Sequence, residues 1–472
     1  MNREPVTSTT PATLASRLAT IVGDANLLTG AAIPADYGHD ESLDADPQLP
    51  GYVVKPGTPD QVAELLLAAA EFGVPVTARG SGTGLSAGAR PREGGLVVTF
   101  ERMNQVLEID TVNHVAVVQP GVTLAQLQDA LAGTGLRYTV HPGESSASLG
   151  GNVGTNAGGM RAVKHGVTRH NVVGLQAVLP SGEIIRTGGK ITKVSSGYDL
   201  TQLIIGSEGT LAITTEVTVK LHPRLPHSAT ALAPFASLED VLSAVAPILA
   251  SGLEPHIVEY IDRQTLTAIT AHENLGLGIP TVVRDSAQAY LVVALENRCQ
   301  DRLDADVAEL GGLLGAHGAT DTFVLNGGAA RRLIAARENS FWTAKAAGAD
   351  DVIDVVVPRA AMPRFLHRTA EMTHAHDAQA VGCGHVGDGN VHLAIFCQDN
   401  TKRKTLMTQI FAMAMELGGA ISGEHGLGQT KAGYFIELED PATVALMRRI
   451  KQSFDPSGIL NPGGLFVAGS GR

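Results

Sequence analysis

Apolar positions recur at helical spacing first in Thr13–Gly23 (TLASRLATIVG), and the aperiodic stretch Pro34–Pro50 behind them reads as a loop. Tyr52–Lys55 has a strand pattern. Pro59–Phe72 (PDQVAELLLAAAEF) carries apolar residues three and four apart, with Pro in the first turn and Gly73 just past the end, and so predicts a helix with both ends marked. Short apolar runs at Val74–Ala78, Gly95–Phe100, Val106–Asp110 and His114–Gln119 read as strands. Strands return at Val172–Pro180 and Glu183–Thr187, joined by a tight turn at Ser181-Gly182, and the pattern continues through Leu203–Thr218. A domain boundary is placed at Leu221–Arg224. Beyond it the helices Leu238–Ala250 and Asp301–Gly312 alternate with the strands Ile257–Ile261, Ala289–Glu296 and Val352–Val357, which predicts an antiparallel sheet covered by helices on one face. A last helix from Pro441 gives way to the turn-rich FDPSGILNPGGLF, and no repeat of fixed period interrupts this α+β pattern.

Composition narrows the class. At 472 residues, with 44% hydrophobic and 17% charged side chains, the chain is globular and long enough for more than one core. A net charge of −12 with no Lys/Arg run excludes a nucleic-acid partner, which demands a basic face. Cys299, Cys383 and Cys397 form no disulfide framework and read as free thiols of a reducing compartment. The N-terminal stretch has no apolar core of a signal peptide, and no segment reaches the roughly 20 apolar residues of a transmembrane helix. A cytoplasmic location is expected, with peripheral membrane docking and a homodimer both compatible.

The 54 glycines are concentrated in a few segments. Residues 79–89 read RGSGTGLSAGA, in which Gly80, Gly82 and Gly84 can turn several backbone N–H groups toward one anion. A nicotinamide-type Rossmann loop needs a helix directly after such glycines, and Gly88 and Pro91 deny it one. A P-loop is excluded by the absence of GxxxxGK[ST]. The second segment, His141–Met160, holds Gly150, Gly151, Gly154, Gly158 and Gly159, a density read here as too high for any packed helix or strand. Two such segments suit a long dinucleotide lying across a domain.

Together, RGSGTGLSAGA, PGESSASLGGNVGTNAGG, KHGVTRHNVVGL and IIGSEGTLAI resemble, in order over residues 50 to 224, the FAD-binding domain of the vanillyl-alcohol oxidase and p-cresol methylhydroxylase superfamily. The resemblance implies a two-subdomain FAD-binding fold plus a cap domain. It puts Arg79, Gly80, Ser81, Gly82, Thr83, Gly84 and Leu85 around the pyrophosphate. Pro142, Gly143, Ser148, Gly150, Gly151, Asn152, Asn156, Gly158, Gly159 and Gly166 then lie along the flavin and ribityl chain. Glu208, Gly209 and Ile213 fall on the adenosine side, with Asn461 a further cofactor contact. The first loop has Thr83 and Ser86 at its tip and no His or Cys, so the FAD is expected to be non-covalent. The implied layout is an FAD-binding domain over 1–224, a substrate domain with a metal site over 225–425, and a segment 426–472 that returns to the first.

Residues 384–393 read GHVGDGNVHL and 422–428 read SGEHGLG. His385 and His392, seven apart with Gly387 and Gly389 between, suit a turn entering a strand better than one face of a helix. Glu424 adds a carboxylate, giving two nitrogens and one oxygen, a set that suits catalytic zinc and equally manganese or non-haem iron. A histidine beside glycines is usually a plain loop residue; three candidate ligands and the further His425 weaken that reading. These segments resemble the C-terminal signatures of the D-2-hydroxy acid dehydrogenase branch (D-lactate, D-2-hydroxyglutarate and glycolate oxidising enzymes). By that resemblance His385, His392 and Glu424 bind a divalent metal, zinc or manganese, and His425 is the base. The implied reaction converts a D-2-hydroxy acid to its 2-keto acid: the metal acidifies the hydroxyl, His425 takes the proton, and the Cα hydride passes to flavin N5. Arg337, in AARENSFWTAK, matches the arginine that grips the substrate carboxylate in a planar fork. Lys345 and Tyr434 read as surface or packing residues.

Two departures bear on the substrate. Val352 stands where D-2-hydroxyglutarate enzymes carry Lys, and Ala394 where they tend to carry Asn, so a distal carboxylate loses two polar partners. A D-lactate-like monocarboxylate is favoured, with D-2-hydroxyglutarate and glycolate as alternatives. The electron acceptor (quinone, electron-transfer flavoprotein, cytochrome or O₂) has no signature in the chain. A flavin-free metallohydrolase leaves both glycine segments without a purpose, and a non-catalytic flavin subunit leaves the His/His/Glu/His set without one.

Overall fold

The computed structural model describes residues 13–273 and 275–466. The helix Pro59–Phe72 lies where the periodicity puts it. The Thr58 side chain accepts from Gln61 N, and Gly73 takes the left-handed conformation, φ +63°, that ends it. Its buried face (Val62, Leu65, Leu66, Ala69) packs on a four-stranded sheet in the order Leu27–Thr29, Tyr52–Val54, Leu96–Thr99, Val76–Arg79. The last three strands run parallel, and the glycine loop 80–89 leaves from the end of Val76–Arg79. The chain end returns to this sheet: Leu460 bridges to Val76, and the Lys451 ammonium donates to Asp455 and to the carbonyls of Leu460 and Thr210.

A second sheet has five antiparallel strands in the order Val106–Asp110, Val115–Val118, Ile213–Lys220, Val172–Val178, Ile184–Gly188. The third has seven, in the order Phe323–Leu325, His227–Phe235, Ala289–Asn297, Ile257–Asp262, Gln379–His385, Asn390–Phe396, Asp351–Val356, all antiparallel. The helices covering this sheet lie on both faces, not on one. Leu238–Ala250, Gln300–Ala316, Met362–Ala375 and Asn400–Glu416 pack on one face, Arg263–His272 and Gly327–Glu338 on the other. The cause is legible in Ala289–Asn297, whose first seven residues are all buried, so neither face of that strand is polar.

One further reading is corrected. The second glycine segment contains a helix, Leu149–Thr155, although glycine is a poor helix former. Ser148 caps it, and Gly150 lies so close to Pro120 that an added Cβ would sit 2.6 Å from the proline Cβ. Glycine here lets a helix approach the backbone, while Leu149 and Val153 anchor it in the core. Further on, the helix Leu200–Ile204 ends at Ile205, and the strand Ile213–Lys220 leads to the boundary placed at Leu221–Arg224.

Candidate active site

Both glycine segments line one cleft. Gly80 to Leu85 form one wall; Pro142, Ser148, Gly150, Gly151 and Asn152 form the facing wall; Glu208, Gly209 and Ile213 close one side. The cleft holds about 1320 Å³ of atom-free space, its open mouth included. Two positions of the first wall have no room for a side chain: a Cβ on Gly80 would strike Ser148 Oγ, and one on Gly82 would strike the Arg79 guanidinium. Backbone lies where a long, flat ligand needs close approach, so the cleft fits FAD. Glu208, at φ +51°, accepts from Leu427 N (2.7 Å) and Gly428 N (2.8 Å), tying this wall to the 422–428 loop. Burial pushes its carboxyl up to about 7, against the pull of those two N–H groups.

Other residues expected around the cofactor do not line this cleft. Arg79 Nη1 donates to the His39 carbonyl (2.5 Å). Asn156, at φ +56°, ends the helix Leu149–Thr155 and accepts from Arg169 N. Gly166, at φ +71°, has no room for a Cβ beside the His170 ring, and Asn461 donates to the carbonyls of Gly88 and Glu208. Gly158 faces Glu424, while Gly143 and Gly159 line the neighbouring cavity.

His385 ends the strand Gln379–His385, and His392 lies in Asn390–Phe396, its hairpin partner. Their Nε2 atoms each stand 3.2 Å from Glu424 Oε1. Glu424 and His425 are held by one carboxylate: Asp354 Oδ2 accepts from Gly423 N (3.0 Å), Glu424 N (2.9 Å), His425 N (2.7 Å) and Ser422 Oγ (2.9 Å). Behind His385, Glu259 Oε1 lies 2.5 Å from Nδ1, and Glu259 Oε2 lies 2.8 Å from Arg337 Nη2. His425 stacks on His392 with ring centroids 5.0 Å apart.

This arrangement fits a divalent cation. His385 has a carboxylate at each ring nitrogen, and when it donates Nδ1–H to Glu259 its bare Nε2 lone pair meets Glu424 with nothing between. A cation there satisfies both, and the carboxylate behind the imidazole fixes the tautomer, as in other metal sites. Charge balance agrees: Glu259, Glu424 and Asp354 are buried or nearly so, with Arg337 the paired guanidinium. Without a cation a proton takes the place between His385 and Glu424, which a metal would displace on binding: burial disfavours a charge on His385, yet Glu259 and Glu424 lift its pKa well above the ordinary value, and burial likewise opposes charge on Glu424, while His385 and His392 hold it well below. The carboxyl of Asp388, on the hairpin turn, is pushed up to about 7 by burial. Asp354, His392 and His425 also lie within ligand reach of one another, but both Asp354 oxygens already accept hydrogen bonds, which leaves His385, His392 and Glu424 as the candidate ligands.

Sequence reasoning missed Glu259 and gave Asp354 no role. The signal was available in Ile257–Asp262 (IVEYID) and Asp351–Val356 (DVIDVV), where an acid sits inside an apolar strand and so must have a partner. Arg337 is buried and lines the second cavity with His385, His392 and His425. Lys345 pairs with Glu41 at the surface, and Tyr434 packs edge-on against Phe411. The two cavities share Leu85, Pro142, Glu424 and His425. Among the described residues no helix is long and apolar enough to cross a membrane.

Comparison with known proteins agrees with this geometry. Residues 50–188 match the family model for an FAD binding domain, and residues 224–465 that for the C-terminal domain of FAD linked oxidases. An FAD-linked oxidoreductase of Mycobacterium tuberculosis (strain H37Rv) is 66% identical over 453 residues, covering 96% of this chain and 99% of its own. The D-lactate dehydrogenase of Archaeoglobus fulgidus is 37% identical over 87% of this chain and 90% of its own. The glycolate oxidase subunit GlcD of Bacillus subtilis is also 37% identical, over 90% and 92%. A crystal structure of p-cresol methylhydroxylase with substrate bound superposes with a TM-score of 0.81 at 17% identity, covering 97% of each chain. The chain therefore belongs to the FAD-linked oxidases, as an FAD-dependent oxidoreductase of the branch that contains D-lactate dehydrogenase, GlcD and D-2-hydroxyglutarate dehydrogenase.

Proposed function

We propose that this enzyme oxidises a D-2-hydroxy monocarboxylate, of which D-lactate is the simplest member, to the 2-keto acid. One observation carries the reading: Glu424 and His425 line both the cleft that fits FAD and the cavity that holds Arg337. A substrate gripped at Arg337 thus has its hydroxyl carbon at the junction. When bound, FAD supplies a two-electron acceptor and a divalent cation at His385, His392 and Glu424 supplies Lewis acidity. Everything else falls to side chains. Arg337, already oriented by Glu259, presents its fork to the carboxylate. The His425 imidazole accepts the hydroxyl proton, and Asp354, through the loop it organises, fixes where that ring stands. Glu259 keeps His385 in the tautomer that faces the cation. In this reading the flavin-holding part comprises the described residues of 13–224 and 426–466, and the substrate part those of 225–425.

The monocarboxylate preference is supported by Val352 and Ala394, which line the substrate cavity with apolar surface. Anaerobic mixing of the yellow holoenzyme with a panel of D- and L-2-hydroxy acids tests the function. D-monocarboxylates should bleach the flavin and the L-enantiomers should not. Bleaching by none of the panel would refute it.

A further inference from the structure

The face of the seven-stranded sheet that carries His385 and His392 continues past them as an apolar strip. Val352, Ala394 and Val381 lie opposite one another across three neighbouring strands, one row beyond His392. Phe396 and Gln379 pair in the next row. Two residues along a strand advance about 6.7 Å, so the second row lies about 13 Å from the His392 row. The opposite wall comes from the helices Arg263–His272 and Ser340–Ala346, which present Ala268, Ile269, Phe341 and Ala344 together with the uncharged polar Gln264, Thr265, Ser340 and Thr343. Small residues on both walls leave the space open, with about 1260 Å³ free of atoms, the mouth included. The strip runs from buried His385 to exposed Gln379, so its far end meets solvent. Among the described residues lining this cavity, Arg337 is the sole Lys or Arg.

From this juxtaposition the geometry points to a substrate class narrower than that of the proposed function, on which it rests: D-2-hydroxy acids whose side chain is an apolar tail longer than the methyl of lactate. With the carboxylate at Arg337 and the hydroxyl carbon beside His425, the sheet offers the tail an apolar path along Ala394 and Val352. Lactate leaves that path unfilled. The distal carboxylate of 2-hydroxyglutarate would lie on it with no cation within the cavity wall to meet it, and an unpaired buried charge is costly.

The test is kcat/KM of the holoenzyme for D-lactate, D-2-hydroxybutyrate, D-2-hydroxyhexanoate, D-2-hydroxyoctanoate and D-2-hydroxyglutarate. Each buried methylene should raise kcat/KM about two- to fourfold, so hexanoate should exceed lactate by roughly 10- to 60-fold, with the gain levelling off where the tail reaches solvent. D-2-Hydroxyglutarate should fall below all the apolar acids of equal or greater length. In Val352→Lys the hexanoate-to-hydroxyglutarate ratio should drop at least tenfold, because an ammonium interrupts the strip and pairs with the distal carboxylate; a ratio cancels any general loss of activity. A flat or falling profile with lactate the best substrate would overturn the apolar-tail assignment and leave the proposed function standing. Failure of every acid in the series to reduce the flavin would overturn both.

Discussion

Glu259 joins the substrate arginine to the candidate metal site, and Glu259→Gln tests that link with little change of shape. The side chain is only 1% exposed, and its two oxygens face His385 Nδ1 at 2.5 Å and Arg337 Nη2 at 2.8 Å. Glutamine keeps the volume and one acceptor but removes the charge, leaving the guanidinium buried without its counter-ion. Breaking a buried pair from one side costs about 3–5 kcal/mol; the retained amide oxygen puts the expectation near the lower end. Loss of the carboxylate behind a ligating imidazole should weaken metal binding by about 10- to 100-fold. The assay is chelator competition for Zn²⁺ or Mn²⁺ with urea unfolding of the metal-free protein alongside. Flavin absorbance serves as a control, because Glu259 does not line the flavin cleft. In the double variant with Arg337→Met the pair is absent altogether, so part of the lost stability should return. Metal affinity within twofold of the parent and stability within about 0.5 kcal/mol would refute the reasoning.

Three more outcomes are expected. Gly150→Ala forces a Cβ to 2.6 Å from Pro120 Cβ; it should cost about 1–3 kcal/mol and release flavin during purification, read by absorbance and unfolding midpoint. Arg337→Lys removes the planar fork and should lower kcat/KM for the hydroxy acid by roughly 30- to 100-fold while the flavin stays bound. Glu208 links stability to pH: its folded pKa is about 7 against an ordinary 4.5, so below about pH 4.5 both states hold the proton and the group adds no slope. Between those values the unfolded chain ionises first, and the flavin-free protein should lose up to about 3 kcal/mol as pH rises to 7. The unfolding free energy of the parent minus that of Glu208→Gln, followed from pH 5 to 8, should fall with this slope, because the variant lacks the titrating group.

The local elements were legible where local physics decides them. Thr58, Pro59 and Gly73 mark both ends of one helix, and the glycines between His385 and His392 announce a hairpin that brings the two rings together. Glycine density misled at Leu149–Thr155, because close approach to Pro120 outweighs intrinsic propensity there, and that contact comes from outside the segment. Glu259 meets His385 across 126 positions and Asp354 organises a loop about 70 positions away. Neither pairing has a local period, and only the demand that a buried acid be paired pointed to them. In sequence the resemblance alone singles out Arg337; in the structure its burial beside Glu259 separates it from Arg331 and Arg332 of the same helix, which stay exposed.

The most direct test of a cation site working beside a flavin is stopped-flow flavin reduction by D-2-hydroxyhexanoate and by D-lactate, before and after exhaustive chelation, with metal content measured on the same samples. Chelated enzyme should remain yellow and lose at least a hundredfold in the reduction rate, and added Zn²⁺ or Mn²⁺ should restore it; His392→Ala should reproduce the loss without restoration. Flavin reduction at the full rate in protein shown to hold no metal would contradict the assignment of His385, His392 and Glu424.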